Sequence, residues 1–154
     1  MPAGILVPLG HGSLLLGLYQ GLRELVSAGL IARMPSIFGV QAGACAPVAR
    51  AWERDWADVK PVEAGHTVAE GVCIAAPPRG GAVLAAVRES GGAVLALEDE
   101  EALAAQGRLA RQGLFVEPTS ALAVAALDHV RDRLRGTAVV VLTGSGFKSF
   151  PELL

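Results

Sequence analysis

Charge is scarce in this 154-residue chain and nearly unbiased, with 13 basic against 15 acidic residues and a formal net charge of −2. No basic cluster is present, which argues against nucleic acid and anionic membrane as partners. Cysteine is equally sparse. Cys45 and Cys73 are the only two; they fit no metal-ligand spacing and suggest a reducing, cytoplasmic setting. The histidines His11, His66 and His129 are scattered, so no metal site is expected. No basic-then-apolar signal pattern occurs at the start, and no apolar run reaches the roughly 18 residues that a bilayer span needs. Lysine occurs twice, as Lys60 and Lys148.

What replaces charge is apolar surface. Hydrophobic residues make up 52% and charged residues 18%, where a soluble domain usually carries about a quarter charged. Mean hydropathy is +0.46. One reading is an alanine- and glycine-rich composition. The other is that part of the apolar surface is covered by another chain or domain. The length suits one domain, residues 1–154, able to bury a core.

Strand and helix patterns alternate. "GILVPL" (4–9) is a short apolar run of the kind buried parallel strands show. From Ser13, Leu14, Leu15, Leu18, Leu22, Leu25 and Val26 recur at helical spacing until Gly29 stops the helix. Gly17 and Gly21 share one helix face, which is read as close packing of helix on sheet. "SIFGVQA" (36–42) is a second strand, followed by a helix from about Pro47 through Trp56. The stretch 57–78 holds a loop and room for one short helix before a Pro-Pro break. A helix at 80–92, a strand and acidic-started helix within 93–113, a helix at 118–136 and a last strand at 137–146 complete the chain. No internal repeat or low-complexity linker interrupts it. The expectation is α/β: a doubly wound, mainly parallel sheet with helices on both faces.

In such a sheet, ligands bind where the carboxyl ends of strands meet the following helices. Two glycine-bounded turns fall there. "GHGS" (10–13) offers backbone N–H groups and a helix N-terminus to an anion. It lacks the dinucleotide G-x-G-x-x-G, and no P-loop lysine follows; a ligand-free connection is the competing reading. "TGSG" (143–146) follows "VVVL" and would put the Thr143 hydroxyl at the carboxyl tip of a central strand. There it could bond a ligand or only its own backbone.

Four blocks in order then carry a resemblance over nearly the whole chain: "VPLGHGSLLLGLYQGLRELVSAGLIARMPSIFGVQAGACAPVARAW", "TVAEGVCIAAPPRGGAVLAAVRESGG", "GLFVEPTSALAVAAL" and "VVVLTGSGFK". The chain resembles threonine synthase, among the fold type II pyridoxal-phosphate enzymes. The resemblance implies pyridoxal 5′-phosphate as cofactor and conversion of O-phosphohomoserine and water to threonine and phosphate. It places Gly10, His11, Gly12, Ser13 and the N–H of Leu14 in the loop that holds the cofactor phosphate, His11 departing from the usual glycine or asparagine. It matches Thr143 to the hydroxyl residue bonding the pyridine nitrogen, and Glu117 to a pocket-lining segment, though Glu117 also reads as a helix-start carboxylate. "LTGSGFK" leans toward threonine synthase over the related threonine dehydratases.

The family's Schiff-base lysine lies ahead of the phosphate loop, and neither Lys60 nor Lys148 matches it. No catalytic residue is therefore assigned here, and the isolated chain is expected to be inactive. The expected partners are a complementary N-terminal-half chain or a second copy in a homo-oligomer, with a small amino-acid substrate. The alternatives are the C-terminal half of a dehydratase-like enzyme, or a non-catalytic α/β module binding another phosphate ligand at "GHGS".

Overall fold

The structure, a computed structural model, describes residues 1–149. Its four strands are β1 (Gly4–Pro8), β2 (Ser36–Ala42), β3 (Ala93–Leu97) and β4 (Ala138–Val140), all parallel in the order β3-β2-β1-β4. Strands buried on both faces read as unbroken apolar runs rather than as an alternation. β1 is accordingly buried at every residue.

Alternate side chains feed two cores. Ile5, Val7, Leu9, Ile37 and Val94 meet Leu15 and Leu22 of α1 (Ser13–Ser27), Val48 of α2 (Pro47–Glu53) and Val83 and Val87 of α3 (Gly80–Glu89). Leu6, Phe38, Val40 and Leu97 meet the opposite group. It comprises Ala102 and Ala105 of α4 (Asp99–Arg111), Leu122 of α5 (Pro118–Ala125) and Val130 of α6 (Leu127–Val130). Each fully buried leucine contributes about 1.5–3 kcal/mol. The sheet is doubly wound with helices on both faces, as the alternation predicts.

The winding locates the crevice. From β1 to β3 the chain steps in one direction with its helices on the first face. It then returns across the second face and adds β4 on the far side of β1. The strand order reverses between β1 and β4, so a crevice opens beyond their carboxyl ends.

Several elements differ from the sequence expectation. β4 is an edge strand among the described residues, not a central one, and spans only three residues. Its ladder closes with the Val141 N–H donating to the Leu6 carbonyl at 3.0 Å. Pro8 is the next β1 residue turned toward β4, and it has no N–H to continue. The helix expected over 118–136 breaks into α5, α6 and a 3₁₀ turn at Arg131–Arg133. Beyond Val130 the sequence is charged and exposed, leaving no apolar face to hold a helix down. α2 ends at Glu53, short of Trp56. The 57–78 stretch holds only a 3₁₀ turn at Glu70–Val72. It is pinned from outside by Asp99, which accepts bonds from the Thr67 hydroxyl (2.5 Å) and the Val68 N–H (2.9 Å).

Gly17 and Gly21 overturn their expected role. A Cβ added at either would meet no atom within 4 Å, so they face the open side of α1 rather than the sheet. With Leu15 and Leu22 turned inward, the helical advance carries both glycines onto the flank. Gly17→Ala and Gly21→Ala are each expected to stabilise the chain by about 0.5–1 kcal/mol, measured by urea unfolding.

Candidate active-site cleft

One wall of the crevice is the start of α1. The chain leaves β1 through Leu9 and Gly10 and turns at Gly12, the N-cap residue, whose φ of 88° is left-handed. A side chain there would overlap Val83 on α3. The Gly12 carbonyl accepts the Leu16 N–H at 2.9 Å, which leaves the N–H groups of Ser13, Leu14 and Leu15 without partners inside the helix. No side chain caps this end and its first turn holds no acidic residue. The positive end of a 15-residue helix is thus left for an anion.

The facing wall is organised by the first turn of α5. Pro118, at the first helical position, fixes where that turn begins. The Thr119 hydroxyl accepts the Gly71 N–H at 3.2 Å and so holds the Glu70–Val72 turn. Ser120, fully buried, accepts the N–H groups of Thr143 at 3.0 Å and Gly144 at 2.9 Å. Its own proton has two acceptors in reach, Thr143 Oγ1 at 3.3 Å and the Gly144 carbonyl at 3.4 Å. The Glu117 N–H donates to that same carbonyl at 3.1 Å. The Glu117 side chain makes no cap bond and packs where a Gly144 Cβ would stand.

Between the walls lies a cleft of about 330 Å³, which brings together all seven residues singled out in the sequence: Gly10, His11, Gly12, Ser13, Leu14, Glu117 and Thr143. That volume lies at the lower end of small-molecule sites, which run from about 300 to 1,000 Å³. His11 is exposed at the rim. The lysines are elsewhere. Lys60 Nζ sits 4.6 Å over the Trp56 ring, and Lys148 is exposed on the turn Gly146–Ser149.

Thr119, Ser120 and Gly71 escape a reading of the sequence. The available signal is the Glu-Pro-Thr-Ser order: a proline that fixes the first turn puts two hydroxyls on the turn that faces the strand ends. A second buried polar anchor is Gln41. Its amide donates to the Leu9 carbonyl (3.2 Å), while its oxygen accepts the N–H groups of Val48 (2.9 Å) and Ala49 (3.0 Å). It ties the end of β1, just ahead of Gly10, to the start of α2.

Cys45 is fully buried. Burial first, and then hydrogen bonding to Cys73, pushes its thiol up from 9.0 to about 11. Only the thiolate reacts, so at pH 8 an alkylating reagent is expected to spare Cys45 in the native chain and modify it after denaturation. Peptide mass mapping reads the result.

A doubly wound parallel sheet with an uncapped, glycine-turned helix N-terminus at its switch point is the arrangement in which α/β proteins hold phosphate-bearing small molecules. The chain belongs to the pyridoxal-phosphate dependent enzyme family, whose sequence profile matches residues 1–146. It is 37% identical over 133 residues to the threonine synthase of Methanosarcina acetivorans, covering 86% of this chain and 33% of that protein. It is 32% identical to the threonine synthase of Methanocaldococcus jannaschii, covering 96% and 38%. Among solved structures, the T.th. threonine deaminase superposes with a TM-score of 0.75 at 30% identity, covering 94% of this chain and 44% of that one. The L-serine ammonia-lyase of Rhizomucor miehei, at 21% identity and a TM-score of 0.76, shares the fold. The chain thus spans little more than a third of the curated relatives it matches.

Proposed function

We propose that this chain forms the phosphate-holding wall of a threonine synthase-like active site, and that the covalent lysine comes from polypeptide outside residues 1–154. The observation that carries the reading is the cleft itself. It joins an uncapped helix N-terminus to a positioned threonine hydroxyl, while both lysines lie outside it.

The residues present fit pyridoxal phosphate. The N–H groups of Ser13 and Leu14, with the Ser13 hydroxyl, suit its phosphate, and Gly12 provides the left-handed turn that leaves them free. The Thr143 hydroxyl, held by Ser120, suits its ring nitrogen. Bound there, the cofactor supplies an electron sink for negative charge developing beside a substrate amino group. A hydroxyl opposite the ring nitrogen accepts or donates a hydrogen bond without delivering a full proton, which moderates that sink. Glu117 lines the same cleft and, as a carboxylate, favours a cationic or hydroxylic group in that part of the site. The reaction assigned is O-phosphohomoserine plus water to threonine plus phosphate. The 37% identity to a threonine synthase, against 30% to the threonine deaminase, favours it over deamination.

Titration of the chain with pyridoxal phosphate tests the reading. Binding is expected to be at least tenfold weaker for pyridoxal without its phosphate, a difference of about 1.4 kcal/mol, with competition by inorganic phosphate. Borohydride reduction should leave no stoichiometric label at Lys60 or Lys148. Site-specific labelling at either, with turnover by the chain alone, would overturn the assignment. Nucleotide binding that pyridoxal phosphate does not displace would favour the non-catalytic module instead.

A further inference from the structure

Cations are dispersed along the sequence, but the fold gathers three of them. Arg33 lies between α1 and β2, while Arg133 and Arg135 come far later, just ahead of β4. With Pro2, Ala3 and Ser36 they line a cavity of about 260 Å³ at the amino ends of β1, β2 and β4. The cleft stands at the carboxyl ends of the same sheet, and the two share no residue.

Backbone hydrogen bonds lace the walls together. The Ala3 N–H donates to the Thr137 carbonyl at 2.7 Å, and the Ser36 N–H donates to the Ala3 carbonyl at 3.2 Å. Between Arg135 and Thr137, Gly136 takes a φ of 139°, which turns the arginine-bearing segment into β4. Arg133 is held one by one as well. Its guanidinium carbon lies 5.6 Å from the centre of the Phe38 ring, and one N–H group donates to the Gly92 carbonyl at 3.3 Å.

Among the described residues, no carboxylate lines this cavity and none pairs with Arg33, Arg133 or Arg135. Acidic residues are the more numerous in the chain, 15 against 13, so composition does not force three cations together without one. Like charges held close repel, and a bound anion offsets them. Each guanidinium is a planar fork matched to phosphoryl and carboxylate oxygens. Three forks around one small cavity exceed what a single phosphoryl group takes up. The Ser36 hydroxyl, which bonds no other described residue, adds a donor. No aromatic ring among the described residues lines the cavity, so single-stranded nucleic acid would find no stacking platform. We infer that this three-arginine cavity is a second anion site and takes a diphosphate group, free or carried on a nucleoside. The inference is independent of the proposed function.

Calorimetric titration with inorganic pyrophosphate tests it, with and without excess pyridoxal phosphate to occupy the cleft. One site is expected in both cases, at least tenfold tighter for pyrophosphate than for orthophosphate or citrate at equal ionic strength. Arg33→Gln/Arg135→Gln should weaken it at least tenfold and leave the melting temperature and pyridoxal-phosphate affinity unchanged, since neither side chain bonds another described residue. Arg133→Lys keeps the charge, loses the fork and should weaken binding too. No pyrophosphate binding, or wild-type affinity in the double variant, would overturn the inference. So would displacement by pyridoxal phosphate, which would put the anion in the cleft, or equal affinity for citrate, which would leave only a general polyanion patch. Tighter binding of single-stranded DNA that grows with its length would overturn it as well, because the partner would then be nucleic acid. ADP identifies the source. Tighter binding than pyrophosphate means a nucleoside-borne group and weaker binding a free one, and either result upholds the site.

Discussion

Gly12→Ala is expected to destabilise the chain by about 2–5 kcal/mol and to abolish phosphate binding at the proposed site. Two costs add at this position. The φ of 88° is left-handed, which charges an L-residue roughly 1–2 kcal/mol. The new methyl would also overlap the Val83 side chain, an overpacking cost typically of about 1–3 kcal/mol. The two separate in a double-mutant cycle with Val83→Ala, which relieves the overlap and leaves the backbone strain. In urea unfolding, Gly12→Ala should therefore cost less on the Val83→Ala background than on the wild type. Equal cost on both backgrounds would show that the overlap contributes nothing. Phosphate affinity is expected to stay lost in the double variant, because the proposed site depends on the turn that directs the Ser13 and Leu14 N–H groups and not on room for a methyl. Gly10→Ala is the comparison: its φ is not left-handed, and its Cβ would meet the Gly71 carbonyl at 3.0 Å, so the effect should be smaller.

The reason Gly12 can be read from sequence and Ser120 cannot is a difference in range. The "GHGS" turn and α1 are local. The apolar run, the glycines and the helical spacing follow one another, and each agrees with the next. The same holds for the acidic start of α4, where Glu98 and Glu101 form a reciprocal capping box. What the sequence hides is non-local. The 57–78 stretch has no periodicity because its conformation comes from Asp99 and Thr119, 31 and 48 residues away along the chain from the groups they bind. The spacing of Gly17 and Gly21 points to the wrong surface because two small residues on one helix face signal a close neighbour without saying which. Likewise "AVVVL" reads as a central strand from its composition, and only the topology shows that one side of it is unpartnered among the described residues. Both errors point the same way, toward apolar surface that these residues do not themselves cover.

Ser120→Ala is the second large effect, and it should act on stability and on the site together. A fully buried hydroxyl that satisfies two backbone N–H groups is removed. Donors stripped of a partner cost about 1–3 kcal/mol each when they stay away from water. Gly144 is partly buried and Thr143 is exposed, so water recovers part of the loss and an unfolding cost of about 2 kcal/mol is expected. The turn from Thr143 to Gly144 then loses its only side-chain anchor among the described residues. The bond from Glu117 N–H to the Gly144 carbonyl remains, but it fixes the far end of the turn and not the threonine hydroxyl. Thr143→Ala makes the contrast. It deletes the exposed hydroxyl and keeps its backbone N–H on Ser120, so stability should change by no more than about 0.5 kcal/mol, while cofactor affinity falls. Ser120→Thr keeps the hydroxyl and should restore binding wherever the extra methyl is accommodated. If Ser120→Ala and Thr143→Ala reduce pyridoxal-phosphate affinity alike, and only the first lowers the unfolding free energy, Ser120 acts by holding Thr143 in place. Unaltered cofactor affinity in Ser120→Ala would mean that the Thr143 hydroxyl reaches the ring nitrogen unaided, and that the α5 turn serves the fold alone.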